Sequence, residues 1–163
     1  MKMYVLQVRT GQEARLAERL RRRGVDAHCP QEERMIRRGG GWQGRLYTVF
    51  PGYLFVCCED PLDIYYRISG QSGVLRWLGM AGGRPAPLPL EEEAQILCMT
   101  YSDVPLPPSR AVKMPDGQLV FVEGPLAELA GSIRKIHRHD RRAEVHVPLH
   151  GREQILRLSF TID

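Results

Sequence analysis

The sequence predicts two units in series: a compact α+β sandwich of roughly 100 residues, then a small all-β barrel. Three observations carry this reading. The run Phe50-Pro51-Gly52-Tyr53-Leu54-Phe55-Val56-Cys57 joins a turn signal to a short apolar, aromatic segment that suits a central strand. Around it, strand-like and helix-like patterns alternate in the order β-α-β-β-α-β-α. Beyond the proline-rich stretch Val104-Pro105-Leu106-Pro107-Pro108-Ser109, the hydrophobic period stays near two and glycines punctuate it at short intervals. A chain of 163 residues, 43% apolar and 26% charged, is ordinary globular material with enough length for one or two small cores.

Met3 to Val8 reads as the first strand. Thr10-Gly11-Gln12-Glu13 fits a capping box, with Ala14, Leu16, Ala17 and Leu20 forming the buried stripe of the helix it opens. Arg21-Arg22-Arg23 sit favourably at the negative end of that helix, and Gly24 stops it. Ala27 to Cys58 turns to strands. Within it, Arg34, Arg37, Arg38 and Arg45 flank Gly39-Gly40-Gly41-Trp42-Gln43-Gly44, which reads as a flexible hairpin tip carrying one aromatic. In the strand after Gly52, Leu54 and Val56 face one side of a sheet, while Tyr53 and Phe55 face the other. Pro61 to Ile68 suits a short helix, Gly73 to Gly79 a strand and Gly82 to Pro87 a loop. Glu91-Glu92-Glu93 occupy a first helical turn after Pro89, with Leu90, Ala94 and Leu97 on one face. The prolines remove amide donors, so residues 101–110 read as a linker. In residues 111–163, Val145, Val147 and Leu149 alternate, as do Leu156, Leu158, Phe160 and Ile162, giving half-buried strands.

A formal charge of +4 and a pI near 9.0 lean toward nucleic-acid partners. No run approaches the ~18 apolar residues of a membrane span, and the N-terminus enters a strand without a signal-peptide core, so a cytoplasmic protein with no membrane partner is expected. Cys29, Cys57, Cys58 and Cys98 lack C-x-x-C spacing and read as buried reduced thiols. His137, His139, His146 and His150 show no convergent ligand geometry, so neither metal nor cofactor is expected. There is no phosphate loop, G-x-S-x-G elbow or H-E-x-x-H pair, and the glycines at 39 to 41 lack the lysine and hydroxyl of a nucleotide loop; an enzyme is not expected.

Several motifs in order resemble the NusG family of transcription elongation factors. Tyr4-Val5-Leu6-Gln7 leading to Gly11-Gln12-Glu13, the Phe50 to Val56 strand, Gly73-Val74-Leu75 with Leu78-Gly79, and Gly83-Arg84-Pro85-Ala86-Pro87-Leu88 are similar to its N-terminal (NGN) domain. Gly124-Pro125-Leu126, Gly131-x-Ile133, Gly151-Arg152 and Leu158-x-Phe160 are similar to its KOW domain, an SH3-like barrel. Met3 stands where the family commonly has Trp. The resemblance implies an antiparallel NGN sheet flanked by helices over residues 1–100, a linker over 101–110 and a KOW domain over 111–163. Within the family the chain is most similar to the specialised group that includes LoaP, because the KOW hairpin is so basic.

The resemblance also implies partners. The NGN domain would dock on the clamp helices of RNA polymerase through Tyr4, Gln7, Phe50, Tyr53 and Phe55. It leaves a contact with non-template DNA open and implies a monomer. Arg134-Lys135-Ile136-His137-Arg138-His139-Asp140-Arg141-Arg142 concentrates cations around one turn, with Ile133 and Ile136 as barrel contacts. Guanidinium forks at such a tip grip phosphates and stack on bases, which points to RNA; a merely solvated turn is the competing reading. Arg134, Lys135, His137, Arg138, His139, Arg141, Arg142 and Arg152 are the expected RNA-binding residues. The expected activity is processive antitermination, with RNA polymerase held by one domain and a nascent RNA hairpin by the other. The alternatives are a general NusG whose barrel recruits ribosomal protein or termination factor, and a ribosome-associated RNA-binding protein.

Overall fold

The computed structural model describes residues 1–100 and 104–163. In chain order the elements are β1 (Lys2–Val8), α1 (Glu13–Arg22), β2 (Asp26–His28), β3 (Gln31–Arg38), β4 (Gly41–Thr48), β5 (Tyr53–Cys58), α2 (Leu62–Ile68), β6 (Val74–Leu78), β7 (Met80–Ala81), β8 (Arg84–Pro85) and α3 (Leu90–Thr100). After these come β9 (Ser109–Lys113), β10 (Leu119–Glu123), α4 (Pro125–Glu128), β11 (Ile133–His137), β12 (Arg142–Leu149) and β13 (Arg152–Ile162). They gather into two compact units, neither of which is a single run of chain. One holds Met1–Cys29, Phe50–Ala94 and Leu149–Arg152; the other holds Pro30–Val49, Gln95–Pro148 and Glu153–Asp163.

The first unit is built on an antiparallel four-stranded sheet in the order β2-β5-β1-β6. Tyr4, Leu6 and Val8 of β1 and Leu54 and Val56 of β5 turn to one face, where Leu16, Ala17 and Leu20 of α1 and Ile64 and Ile68 of α2 close a core. Ala14 is exposed, because the stripe that meets the sheet runs through Glu13, Leu16, Ala17 and Leu20. The expected capping box does not form. Gln12 is the N-cap and makes no side-chain cap bond. Buried Glu13 instead accepts from Gly11 N–H at 2.6 Å and from Gly52 N–H at 2.9 Å, tying the helix start to the turn before β5. In that turn Gly52 has φ +88° and Tyr53 N–H donates to Phe50 O, as the Pro-Gly signal requires. At the other end of α1, Gly24 N–H bonds Arg21 O and Val25 N–H bonds Leu20 O, a Schellman closure. Residues 80–85 form a small β7–β8 hairpin rather than an irregular loop.

On α3, Leu90, Ala94 and Leu97 share an exposed face, while Glu92, Ile96, Met99 and Thr100 form the buried one. Both stripes satisfy a spacing of three to four, so periodicity alone did not choose between them. What distinguishes Glu92 is its carboxylate, which accepts the main-chain N–H groups of His150 and Gly151.

The second unit carries a five-stranded sheet in the order β10-β9-β13-β12-β11, with β13 parallel to β9. The expected alternation appears along β12, where Ala143, Val145, Val147 and Leu149 are buried, and along β13 at Leu156, Leu158 and Phe160. The β3–β4 ribbon belongs to this unit. Gly39 and Gly40, with φ of +62° and +82°, form its turn, and Gly41 already resumes the strand. Trp42 therefore sits in a paired strand opposite Arg37, 66% exposed, instead of in a loose tip. Residues 101–103 of the expected linker lie outside the described residues. Leu106, between prolines, keeps its own donor and acceptor: its N–H bonds Gln31 O and its carbonyl accepts Glu33 N–H, so this part of the proline-rich stretch is anchored on β3.

Candidate nucleic-acid interface

The basic residues of the second unit are assembled by one hairpin. Ile133↔Val145, Ile136↔Ala143 and His137↔Arg142 set its register, and Arg138 to Arg141 form the turn, with Arg141 in the left-handed region at φ +56°. Arg134, Lys135, Arg138, His139 and Arg141 are exposed, while His137 and Arg142 are half-buried. Ile136 is also exposed and Ile133 half-buried, so neither is the firm barrel contact expected of them; Ala143 and Val145 on the partner strand fill that role.

The guanidinium groups are oriented by main-chain carbonyls. Arg134 donates to Gly131 O at 3.1 Å, Arg138 to Gly117 O at 2.7 Å, Arg141 to Arg138 O at 2.8 Å and Arg142 to Asp140 O at 3.0 Å. None of the ion pairs among the described residues involves these four. A guanidinium held by one carbonyl keeps most of its donors and its whole charge for an anion.

Arg142 differs from the rest. Burial, followed by the charge of Arg34, lowers its pKa against the opposing pull of Glu32, Tyr47 and Asp140. It faces the root of the β3–β4 ribbon. There buried Glu32 takes Arg34 Nε at 2.6 Å and Ser159 N–H at 2.8 Å, and the Arg34 guanidinium lies 4.5 Å from the Tyr47 ring centre. Sequence reasoning missed Glu32 because an acid in a strand of charged residues reads as solvent-facing. Arg152 is exposed at the start of β13 and belongs to the other compact unit.

In the first unit, cross-strand register sorts the aromatic residues. Gln7↔Tyr53, Val5↔Phe55 and Met3↔Cys57 share one face of the sheet. Tyr4 pairs with Val56 and lies on the opposite, helix-covered face, edge-on to Trp77 with ring centres 6.0 Å apart. Burial raises the Tyr4 phenol pKa, with nearby Cys58 and Asp60 adding to it. The surface expected around Tyr53 therefore excludes Tyr4, since adjacent β1 residues point opposite ways. Gln7 and Tyr53 are half-buried, and Gln7 Oε1 accepts from Arg76 Nε. Phe50 and Phe55 meet edge-to-face at 5.1 Å and are 1% and 0% exposed.

Residues 1–97 match the family model described as transcription termination factor NusG. The chain belongs to the NusG family. The transcription termination/antitermination protein NusG of Thermus thermophilus is 28% identical over 175 residues, covering 97% of this chain and 95% of that one. The NusG of Halalkalibacterium halodurans is 33% identical over 138 residues, covering 81% of this chain and 75% of its own. That of Bacillus subtilis is 30% identical over 139 residues with the same coverage. The solved structure of Thermotoga maritima NusG superposes with a TM-score of 0.57 at 23% identity, covering 97% of this chain and 93% of that chain, which shows a shared fold. The protein is thus a NusG-type transcription termination/antitermination factor, and not an enzyme.

Proposed function

We propose that this NusG-type factor is a specialised processive antiterminator. Its NGN domain, residues 1–100, holds the clamp helices of RNA polymerase, and its KOW domain, residues 111–163, binds a nascent RNA hairpin. The observation that carries the RNA half is the β11–β12 hairpin, where the exposed guanidinium groups of Arg134, Arg138 and Arg141 are aimed by carbonyls and form no ion pair among the described residues. A barrel that recruits protein through this edge would more naturally present apolar residues there.

The polymerase half rests on family membership and on the Gln7–Tyr53 pair with Phe50 and Phe55 behind it. The two phenylalanines are closed to solvent, so a helical partner meets Tyr53 and Gln7 first and reaches the phenyl rings only after the segments that cover them give way. Suppression of pausing then follows from holding the clamp closed rather than from chemistry.

The test is read-through of an intrinsic terminator by RNA polymerase with the full chain, on templates with and without a structured leader RNA. Read-through that needs the leader and is lost in Arg138→Ala/Arg141→Ala supports the reading. Read-through independent of the leader and unchanged in that variant refutes the RNA half, leaving a general NusG whose KOW domain recruits protein.

A further inference from the structure

We propose that Asp26, His28 and Cys57 form a binding site for a thiophilic divalent cation of the zinc class, at the edge of the four-stranded sheet. Asp26 and His28 are two apart on β2 and so share a face; Asp26 pairs directly with Cys57 on β5. The Cys57 sulfur, a His28 ring nitrogen and an Asp26 carboxylate oxygen all lie within 4.8 Å of one another, and His28 Nε2 is already 2.7 Å from Asp26 Oδ1. Metal bonds of about 2.0–2.3 Å at tetrahedral angles set donor separations of about 3.3–3.7 Å, so closing on an ion asks about an ångström of movement from rotatable side chains.

One further feature fits a cation: β2 is the outer strand of its sheet, Asp26 is exposed, and His28 and Cys57 are half-buried, so an ion can enter. One sulfur, one imidazole nitrogen and one carboxylate select zinc, cobalt or copper over magnesium or calcium, and three protein donors leave a fourth position for water. Spacing in the sequence hid this set, because strand register rather than a short motif brings residues 26, 28 and 57 together. The site would pin the three-residue edge strand β2 to β5.

The experiment is titration of the metal-free, reduced full chain with Co2+, read by absorbance. One equivalent is expected to give a thiolate-to-cobalt charge-transfer band and tetrahedral visible bands, displaced by Zn2+. Cys57→Ser removes the charge-transfer band, and His28→Ala weakens binding more than roughly tenfold. A Cys29→Ser/Cys58→Ser/Cys98→Ser chain, keeping Cys57 alone, retains the band, which guards against a misfolded Cys57 variant. Zn2+ should also raise the Tm of the wild-type chain but not of Cys57→Ser. The absence of any charge-transfer band, or a band that survives Cys57→Ser, overturns the proposal.

Discussion

Replacing Arg138 and Arg141 with alanine should halve the salt sensitivity of RNA binding. A sequence-level count gives the hairpin five cations at residues 134, 135, 138, 141 and 142 and a slope of log K against log salt of roughly −3 to −5. The structure reduces that number, because Arg142 is half-buried beside Arg34 and Glu32 and is spent on the unit's own packing. Four exposed cations at about 0.7–0.9 per phosphate give a slope of about −2.8 to −3.6, so raising salt from ~50 to ~200 mM weakens binding about 50- to 150-fold. The double variant keeps Arg134 and Lys135. Its slope becomes about −1.4 to −1.8 and its loss over the same range about 7- to 12-fold. The assay is fluorescence anisotropy of a labelled RNA hairpin with the full chain across a salt series. A slope near −3 that the double variant leaves unchanged would show that the cations contacting RNA lie elsewhere. Arg142→Ala should leave the slope within about half a unit of wild type while lowering stability, the opposite pattern from its neighbours.

Glu13→Ala leaves the N–H groups of Gly11 and Gly52 without an acceptor and should cost about 2–4 kcal/mol, measured as a shift of the urea midpoint with Glu13→Gln recovering part of it. Phe55→Ala empties a fully buried site and should cost about 3–5 kcal/mol, whereas Tyr53→Ala should cost about 1 kcal/mol and weaken polymerase binding in a pull-down. Burial, with the charge and hydrogen bond of Glu128 adding to it, raises Cys98 from 9.0 to about 12. The unfolded chain therefore releases this proton first. The contribution of Cys98 to stability is whole below pH about 9 and is lost as pH rises toward 12, and Cys98→Ala should flatten that decline in urea unfolding at stepped pH.

β12 and β13 were legible because their apolar residues alternate, and β1 and β5 because they are short, near-continuous apolar runs. The turn at Gly52 and the helix stop at Gly24 were legible for the same local reason: each needs a backbone that glycine adopts cheaply. What failed was set by distant partners. Glu13 and Glu92 read as helix-start acids and Glu32 carries no local signal, yet each is buried and holds main-chain N–H groups far along the chain: Gly52, His150 with Gly151, and Ser159. The choice between two helical stripes on α3 and the exclusion of Tyr4 from the Tyr53 face likewise depend on which neighbour covers which side. The basic hairpin was fully visible as a charge run. The inward role of Arg142 was not, because it depends on a ribbon about a hundred residues earlier in the chain.

On the proposed function, a site of four exposed cations would bind RNA modestly and with strong dependence on salt, and for a factor held on the polymerase this would suffice. Once one contact is docked, a second contact carried by the same chain would experience an effective concentration on the order of millimolar. A hairpin bound with a Kd of ~10 μM in free solution would then be occupied about 99% of the time on the elongation complex, and about 1% of the time by factor free at ~0.1 μM. On that proposal the difference would give recruitment its selectivity: RNA alone would not capture the factor, and polymerase alone would not distinguish one transcript from another. Tightening the hairpin by adding cations would erode the distinction, because free factor would begin to coat unrelated RNA. The carbonyl-held guanidinium groups of Arg134, Arg138 and Arg141 would meet that intermediate requirement: oriented enough to favour a shaped phosphate backbone, too few to hold RNA alone.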